Sequence, residues 1–400
     1  MRPFDGRRIV LGITGGIASY KSGWLARLLA QAGAEVDVVM TRGATEFVAP
    51  VTFEALTGRP VHTSIFEAGR ALEHIRLGRE AHAVVVAPCT ADFLARAAQG
   101  RADDLLAAVL LATEAPVMLV PAMNDKMWSH PATQRNKRTA LELGYRVIEP
   151  DTGALAAGEG SGPGRMPEPE TILAHLARLL ERPSLSGRSV LVTAGPTREP
   201  VDAVRFLSNR SSGKMGVAIA AAAWRRGADV TLVAGPLEVP MPVGVRVVRV
   251  ESTEEMAAAV GAELGRADAL IMAAAPADFR AAAPVGFKIK KSASPGSVAL
   301  AAAPDILAET RDKRRLGAII VGFALETDDI LANGKAKLEA KGLDLIVVND
   351  ATEAGAGFGV DTNRVTFIAK GGATEALPLL SKDDVASILL DRVEALLGAR

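Results

Sequence analysis

One sequence pattern occurs twice along the 400 residues and constrains the fold more than any other feature. Residues 8–14, RIVLGIT, form a short apolar run that leads through a Gly-Gly pair into the helix-like segment 17–31. Residues 189–193, SVLVT, repeat the arrangement ahead of a glycine-punctuated loop and the helix-like segment 216–226. Continuous Val/Ile/Leu runs are typical of parallel strands buried on both faces, and their alternation with helices indicates βαβ units. We therefore predict two Rossmann-like, doubly wound α/β domains.

Further apolar runs extend both halves into larger sheets. The additional strand candidates are residues 35–40, 83–87, 117–120, 229–234, 269–273, 318–323 and 343–348. Residues 168–181 have a helical pattern, and residues 182–188, RPSLSGR, have the composition of a short linker. Because a typical domain has about 100–200 residues, we predict one domain over 1–185 and a second over 186–400.

Charge and cysteine usage limit the partners and the compartment. The 46 Lys and Arg residues balance 46 Asp and Glu residues, so no overall field favours nucleic acid or an anionic membrane as a partner. Cys89 is the single cysteine and cannot form an intramolecular disulfide, which fits a reducing compartment. No apolar run reaches the roughly 18 residues needed to cross a bilayer. We expect a cytoplasmic protein.

The first glycine turn is a candidate phosphate site. A glycine turn between a strand and a helix brings backbone N–H groups close to a phosphate, and the helix N-terminus favours negative charge. Gly15, Gly16, Ile17 and Ser19 occupy such a turn. It is not a Walker A loop, because Tyr20 stands where a glycine should precede Lys-Ser, and it is not G-x-G-x-x-G. By itself the turn fits a tight bend as well as a phosphate site.

Three later segments of the first half favour a ligand site. Residues 87–93, APCTADF, and residues 121–128, PAMNDKMW, each follow a predicted strand, at the edge where open α/β sheets bind ligands. Residues 153–166 are rich in glycine and end in Gly-Arg-Met. Because a glycine-dense loop is costly to order, we interpret it as a mobile cover that closes over a ligand.

The strings GITGGIA, PAMNDKMW and GPGRM, in this order, resemble the phosphopantothenoylcysteine decarboxylases of the flavin-containing cysteine decarboxylase family. The similarity covers residues 5–182 and implies a flavodoxin-like fold that binds FMN. It implies that His74 is the general base and that Asn124 holds the substrate carboxylate, whereas the other histidines have no motif support. The residues implied in FMN binding are Gly15, Gly16, Ile17, Ser19, Pro88, Thr90 and Ala91. The residues implied in the substrate cover are Gly164, Arg165 and Met166.

The chemistry implied by this resemblance separates the cofactor from the protein. FMN takes electrons from the cysteine moiety so that CO₂ loss becomes easier, and the protein supplies orientation and proton transfers. Arg165 on the cover is expected to pair with the carboxylate or the phosphate.

One position departs from the family pattern. Bacterial relatives carry a cysteine in the cover that donates a proton in the final reduction, and Ala157 stands in that place here. An alanine methyl group cannot donate a proton. Either Glu159, Ser161 or water takes over, or this half stalls after CO₂ loss, or the alanine was introduced deliberately. Cys89 belongs to another segment and is not assumed to substitute.

Basic and acidic residues of the second half suggest a triphosphate site. Residues 193–216 form a long polar loop before a helix, and such loops usually carry function. Residues 276–279, PADF, follow a predicted strand, and residues 287–291, FKIKK, form a basic cluster. Further lysines recur at 335, 337 and 341. Lysines together with an acidic residue indicate triphosphate bound with Mg²⁺.

The strings SNRSSGKMG and KIKK resemble the phosphopantothenate–cysteine ligase domain from residue 188 to the end, with a Rossmann/ribokinase-like fold. The resemblance implies that 4′-phosphopantothenate reacts with CTP to give an acyl-cytidylate, from which cysteine displaces CMP. It implies that Lys288 stabilises the charge at the α-phosphate, that Asn209 binds the acyl carbonyl and assists the amide-forming step, and that Asp278 holds the metal. The residues implied in CTP binding are Ala273, Ala274, Ala275, Asp278, Lys288, Pro304, Asp305, Ile306, Leu307, Phe323, Lys337 and Lys341.

Together the halves predict a bifunctional enzyme of coenzyme A synthesis, in which the ligase product is the decarboxylase substrate. The resemblance also implies a homo-oligomer, a dodecamer. The alternative that stays open is an active ligase with an impaired decarboxylase, because of Ala157. An NAD-linked oxidoreductase or a nucleotide-sugar enzyme lacks its fingerprint here, and a non-enzymatic flavoprotein module leaves the ligase strings unexplained.

Overall fold

The computed structural model describes residues 3–66, 72–155, 158, 160–290, 297–326, 329–350, 357 and 359–399. The chain divides into two compact units, residues 1–181 and residues 182–400. Each unit is built on one large sheet whose central strands are parallel. The prediction of two doubly wound α/β domains is therefore confirmed.

The first unit alternates strands and helices along the chain. Its elements are β1 (Arg8–Ile13), α1 (Ser19–Gln31), β2 (Glu35–Met40), α2 (Arg42–Thr45), α3 (Pro50–Thr57), β3 (Val61–His62), α4 (Glu73–Glu80), β4 (Ala83–Cys89), α5 (Ala91–Gln99), α6 (Leu105–Ala112), β5 (Val117–Pro121), α7 (Asp125–Ser129), α8 (Pro131–Glu142), β6 (Arg146–Val147), β7 (Asp151–Ala154), β8 (Ser161–Arg165) and α9 (Pro169–Leu180). The main sheet has the order β3-β2-β1-β4-β5-β6, and all its pairs are parallel. The order reverses between β1 and β4, and a crevice forms at such a point.

Alternate side chains of the central strands pack on opposite faces of this sheet. Ile9 and Leu11 of β1 face the core that α1 and α9 complete with Leu25 and Leu176. Val10, between them, faces the core formed with α5 and α6. The period of two explains why β1 carries no polar side chain from Ile9 to Ile13, since both of its faces are covered there.

The second unit repeats this organisation with a longer sheet. Its elements are β9 (Ser189–Ala194), β10 (Arg198–Pro200), β11 (Phe206–Ser208), α10 (Lys214–Arg225), β12 (Asp229–Ala234), β13 (Arg246–Arg249), α11 (Thr253–Glu263), β14 (Ala269–Met272), β15 (Phe279–Ala281), β16 (Leu300–Ala302), α12 (Ile306–Glu309), β17 (Ile319–Glu326), α13 (Ile330–Ala340), β18 (Leu345–Asp350), β19 (Thr362–Asn363), β20 (Val365–Ala369), β21 (Thr374–Ala376), β22 (Leu380–Ser381) and α14 (Lys382–Gly398), with short 3₁₀ turns at 264–266 and 311–313. The sheet order is β13-β12-β9-β14-β17-β18-β20-β21. The strands from β13 to β18 are parallel, and β20 and β21 continue the sheet antiparallel.

The segment between α9 and β9 is not a free linker. Leu185 is buried, and its backbone N–H donates to the carbonyl oxygen of Arg226 at 2.9 Å. Residues 182–188 still lead from one unit into the other, and the apolar side chain of Leu185 secures this segment within the second unit. The second unit accordingly begins at residue 182, and the sequence placed the boundary near 185.

No helix in the described part of the chain combines the length and the apolar character that a bilayer crossing requires.

Close packing of α10 on β9 depends on a residue without a side chain. A methyl group at Gly216 would lie 2.6 Å from both the Thr193 carbonyl oxygen and the Ala194 Cβ. We expect Gly216→Ala to lower the free energy of unfolding by about 1–3 kcal/mol, because the backbone of the neighbouring strand cannot yield cheaply. Calorimetry of the full chain measures this. Gly398→Ala is the control, since a methyl group there meets no atom within 4 Å; equal transitions for the two variants would contradict the close contact.

Candidate active sites

Hydrogen bonds join the ends of β1 and β4 at the carboxyl edge of the first sheet. The Thr14 hydroxyl donates to the Pro88 carbonyl oxygen at 2.8 Å and accepts from the Thr90 backbone N–H at 3.0 Å. Thr90 also caps α5, since its hydroxyl oxygen accepts from the Phe93 backbone N–H. The predicted FMN residues Pro88, Thr90 and Ala91 therefore lie beside the turn after β1.

The glycine turn after β1 is held in a tight conformation. The Ser19 hydroxyl donates to the carbonyl oxygens of Thr14 and Gly16 at 3.1 and 2.6 Å. A methyl group at Gly15 would lie 2.6 Å from the backbone of Gly43, which explains the need for glycine there. Within the described residues, the backbone N–H groups of Gly16 and Ile17 donate to no other backbone group. The turn is thus both a tight bend and a source of free donors.

His74 lies in the first turn of α4. Because α4 connects two parallel strands, it runs antiparallel to them, and its N-terminus lies at the carboxyl edge of the sheet. The imidazole is half-buried, and its Nδ1 atom is buried with no hydrogen-bond partner among the described residues. A buried nitrogen without a partner is costly, so a ligand or water at this position would remove the penalty.

Asn124 caps α7 at the end of β5. Its Oδ1 accepts from the Lys126 backbone N–H at 2.9 Å, which fixes the side-chain rotamer. Within the described chain its amide NH₂ group donates no hydrogen bond, so it is available to an acceptor such as a carboxylate.

The segment predicted as a mobile cover contains a β-hairpin. Strands β7 and β8 pair antiparallel, and the Gly164 carbonyl oxygen accepts from the Met123 backbone N–H at 3.0 Å. A methyl group at Gly164 would lie 2.1 Å from the Met123 carbonyl oxygen. The hairpin is therefore docked by its backbone beside Asn124. Ala157 and Glu159 lie outside the described residues.

Two predicted cover residues are placed differently from each other. Arg165 is partly exposed and donates to Glu168 at 3.2 Å. Lys21 donates to the same carboxylate at 2.7 Å and to the Met166 carbonyl oxygen at 3.1 Å. The Met166 side chain is only 2% exposed and belongs to the hydrophobic core. The apolar side chain of Met166 therefore packs inward, and the assignment of this residue to the substrate cover stays a prediction.

Cys89 is a buried residue of the first unit. Its side chain is fully buried at the end of β4, and burial raises the pKa of its thiol well above the usual range. Its Sγ lies 3.8 Å from the Thr90 carbonyl oxygen.

The second unit contains a cleft of about 480 Å³ at the carboxyl ends of β14 and β17. It is lined by residues from the loop after β14, the start of α12, strand β17 and helix α13. The predicted CTP residues that line it are Ala273, Ala274, Ala275, Asp278, Pro304, Asp305, Ile306, Leu307, Phe323, Lys337 and Lys341, together with the predicted catalytic Asn209. Lys288 is exposed and does not line this cleft.

The wall after β14 is fixed by backbone hydrogen bonds. The Ala274 N–H donates to the Thr193 hydroxyl oxygen at 3.1 Å, and the Ala275 N–H donates to the Gly195 carbonyl oxygen at 2.9 Å. The Asp278 carbonyl oxygen accepts from the Ala303 N–H at 2.9 Å, which joins this wall to the start of α12. The exposed Asp278 carboxylate therefore stands on a rigid frame.

Asn209 is held by the same wall. Its Nδ2 donates to the carbonyl oxygens of Pro276 and Ala275 at 2.9 and 3.2 Å. The Oδ1 atom remains as an acceptor. This geometry limits what the side chain can offer to a substrate, since donation to an acyl carbonyl would require one of these bonds to be exchanged.

Two lysines of the cleft, Lys214 and Lys382, received no individual role from the sequence. Both residues line the cleft, and the Lys382 side chain is buried, so that burial and the neighbouring Lys214 lower its pKa. Lys214 stands in the string SNRSSGKMG, which pointed to this loop as a whole. Lys382 has no motif around it and reaches the cleft only because α14 begins there.

No cluster of three or more His, Cys, Asp or Glu side chains able to hold a metal ion occurs among the described residues. A Mg²⁺ ion often takes most of its ligands from nucleotide phosphates and water, and a single cleft carboxylate such as that of Asp278 is compatible with this mode.

Comparisons with known proteins cover both units. Residues 2–181 match the family described as Flavoprotein, and residues 185–397 match the DNA/pantothenate metabolism flavoprotein C-terminal domain. The coenzyme A biosynthesis bifunctional protein CoaBC of Mycobacterium tuberculosis is 47% identical over 98% of this chain and 97% of its own length. The chain belongs to this family. The prediction of a bifunctional decarboxylase and ligase family from sequence strings is thereby confirmed.

Two further relatives show the extent of the similarity. CoaBC of Escherichia coli K12 is 43% identical over 97% of both chains, so the likeness extends over both units. A crystal structure of the C-terminal domain of a CoaBC protein is 37% identical, covers 54% of this chain and 99% of that domain, and gives a TM-score of 0.46. The first unit is a flavoprotein domain, since the Flavoprotein family matches nearly all of it.

The contact between the hairpin and the Asn124 loop can be tested directly. We expect Gly164→Ala to raise amide exchange at Met123 by about tenfold, because the added methyl group collides with the Met123 carbonyl and breaks the hydrogen bond from the Met123 N–H to the Gly164 carbonyl oxygen. Hydrogen-exchange mass spectrometry measures the rates. Ala154→Ser, at an exposed position of β7, is the control and should leave them unchanged. Unaltered exchange in Gly164→Ala would show that the hairpin is not docked there.

Proposed function

We propose that this chain catalyses two consecutive steps of coenzyme A synthesis. The second unit joins 4′-phosphopantothenate to cysteine at the expense of CTP, and the first unit decarboxylates the product to 4′-phosphopantetheine with FMN. The observation that carries the ligase part is the convergence of the loop after β14, the start of α12 and two lysines, Lys337 and Lys341, on one cleft. The Flavoprotein match over residues 2–181 supports the decarboxylase part.

The carboxyl edge of the first sheet fits a flavin phosphate. The free N–H groups of Gly16 and Ile17 precede α1, where the helix N-terminus adds favourable potential. A methyl group at Gly16 would meet only the Thr90 Cγ2, at 3.7 Å, so there is room beside the turn. When bound, FMN supplies the reversible oxidation of the cysteine moiety.

The roles proposed for protein groups in this half follow from their contacts. His74 presents a buried Nδ1 without a partner among the described residues, which suits a group that exchanges a proton with the substrate. The free NH₂ of Asn124 suits the substrate carboxylate. Arg165 shares Glu168 with Lys21, so an anionic substrate can compete for its guanidinium group.

In the ligase half, charge stabilisation and amide formation are assigned to different residues. Lys288, which does not line the cleft in this structure, is proposed on the resemblance to offset the charge that develops on the α-phosphate, while Asp278 would hold Mg²⁺ on the triphosphate. Because both hydrogen bonds from the Asn209 Nδ2 go to wall carbonyls, its Oδ1 is the atom available to accept from the cysteine amine. The availability of this Oδ1 atom favours a role of Asn209 in the amide-forming step.

Rates of the two half-reactions test the assignment. With CTP, phosphopantothenate and Mg²⁺, we expect Lys288→Gln to slow pyrophosphate release by about 100-fold, whereas Asn209→Asp should release pyrophosphate but form the amide about 100-fold more slowly. Pyrophosphate assays and product mass spectrometry separate the steps. If ATP supported the reaction as well as CTP, the assignment of CTP as the nucleotide would be contradicted. A wild-type rate in either variant would contradict the role proposed for the substituted residue.

Because of Ala157, a second function is possible for this chain, in which the decarboxylase half is impaired. In this alternative the ligase works, and the first unit releases CO₂ slowly or stops before the final reduction. The single cysteine of the sequence, Cys89, lies in another segment, and burial raises the pKa of its thiol.

Restoring the cysteine tests this alternative. We expect Ala157→Cys to increase formation of 4′-phosphopantetheine from the cysteine conjugate by about tenfold or more, because a thiol can donate the last proton. Product mass spectrometry with flavin absorbance measures it. His74→Asn is the matched control and should keep the flavin colour while losing CO₂ release. Equal product from the Ala157→Cys variant and the parent enzyme would mean that another group donates the proton, and a colourless protein that takes up no FMN would contradict the flavin assignment.

From the family resemblance alone, we also propose that the protein is cytoplasmic and forms a homo-oligomer, a dodecamer. Sedimentation analysis of the full chain measures its size.

A further inference from the structure

The hairpin formed by β10 and β11 has contacts at both ends with segments of the proposed ligase site. Asn209 follows directly after β11, at the exit of the hairpin. At the tip, residues 201–205 close a turn in which the Val201 N–H donates to the Arg205 carbonyl oxygen at 2.8 Å. The segment that carries Lys288 runs along this tip.

Asp202 at the tip is a fully buried carboxylate with partners for both oxygens. Its Oδ1 accepts from the Val204 and Arg205 backbone N–H groups at 2.9 and 2.8 Å. Its Oδ2 accepts from the Arg205 guanidinium group, through Nε at 2.9 Å and also through Nη2, and from the Ile289 backbone N–H at 3.1 Å. The side chain itself is 0% exposed although it lies in a surface turn.

Ile289 is held by this ion pair through both of its backbone polar groups. Its N–H donates to Asp202, and its carbonyl oxygen accepts from the Arg205 Nη2 at 2.9 Å. A third bond, from the Val285 N–H to the Val201 carbonyl oxygen at 3.3 Å, fixes the segment closer to β15. The neighbouring side chains of Lys288 and Lys290 are exposed, so their own packing does not order them.

We propose that Asp202 is a positioning residue for Lys288, acting through the backbone of Ile289. This inference rests on the proposed function of Lys288 in the activation step. An exposed lysine on a long flexible stem loses conformational freedom when it binds a phosphate, and a fixed backbone reduces that cost. The same hairpin carries Asn209, so one rigid element holds the backbone next to both proposed ligase residues.

Asp202→Asn is the variant that breaks this contact with least change of shape. The asparagine Oδ1 can still accept from the two turn N–H groups, but its NH₂ then faces the Arg205 guanidinium and the Ile289 N–H, donor against donor. Asp268→Asn is the matched control. Asp268 is also buried, accepts from the Ser189 N–H at 2.8 Å and pairs with Arg315 at 2.8 Å, at the opposite edge of the sheet.

The first measurement is limited trypsin digestion of the full chain, followed by mass spectrometry of the peptides. We expect Asp202→Asn to accelerate cleavage after Lys288 and Lys290 about tenfold, because the loss of a charge-assisted bond frees the segment. Asp268→Asn should cleave there at the wild-type rate. Equal cleavage rates in Asp202→Asn and the wild type would show that Asp202 does not anchor the segment around Ile289. This conclusion would hold whatever Lys288 does in the reaction.

The second measurement is a double-mutant cycle on pyrophosphate release. We expect Asp202→Asn to lower kcat about tenfold with the KM for CTP changed less than about twofold, and the double variant with Lys288→Gln to be no slower than Lys288→Gln alone. Additive losses, or a loss confined to KM, overturn the inference because Asp202 would then act on something else. A wild-type rate in Lys288→Gln would instead reject the proposed function of Lys288, and the digestion result would still decide whether Asp202 holds the segment.

Discussion

Burial of parallel strands on both faces is the constraint on which the rest of this structure depends. Strands β1, β4 and β9 can carry apolar side chains at successive positions only because helices cover both sides of each sheet. Parallel strands end at one common edge, and the chain must turn there into a helix. The polar and glycine-rich segments are therefore gathered at that edge in each unit.

Close approach of backbones makes these edges usable as binding sites. Gly15, Gly164 and Gly216 stand where a methyl group would collide with a backbone atom within 3 Å. In the second unit, the bonds of Ala274, Ala275 and Asp278 fix a wall of small side chains beside the cleft. Small residues leave the space, and hydrogen-bonded backbones give it a fixed shape.

Buried polar groups have a different task in each unit. Asp202 accepts from two side-chain and three backbone donors and links a hairpin tip to the backbone beside Lys288. Lys382 is buried in the ligase cleft, where its ammonium group donates to backbone carbonyl oxygens. In the flavoprotein unit, Cys89 is buried at the end of β4, and this burial raises the pKa of its thiol. Each case depends on parts of the chain that are distant in the sequence.

The sequence by itself determined the fold class and most of the strands, because the hydrophobic pattern of a buried strand is local. Residues 35–40 and 229–234 were predicted with the bounds that the structure has. The family resemblance also implied residues that line the cleft of the second unit, since Asn209, Asp278 and Phe323 all lie there. Local information was sufficient for these features.

Only the tertiary structure decided which residues meet. Leu185 belongs to the second unit because its side chain finds a buried site there, and Met166 turns into the core although its neighbour Arg165 is partly exposed. Lys382 joins the cleft from the start of α14, and Asp202 reaches Ile289 from a distant part of the sequence. Such contacts depend on chain topology and on side-chain partners far away in sequence, and no local pattern of residues encodes them.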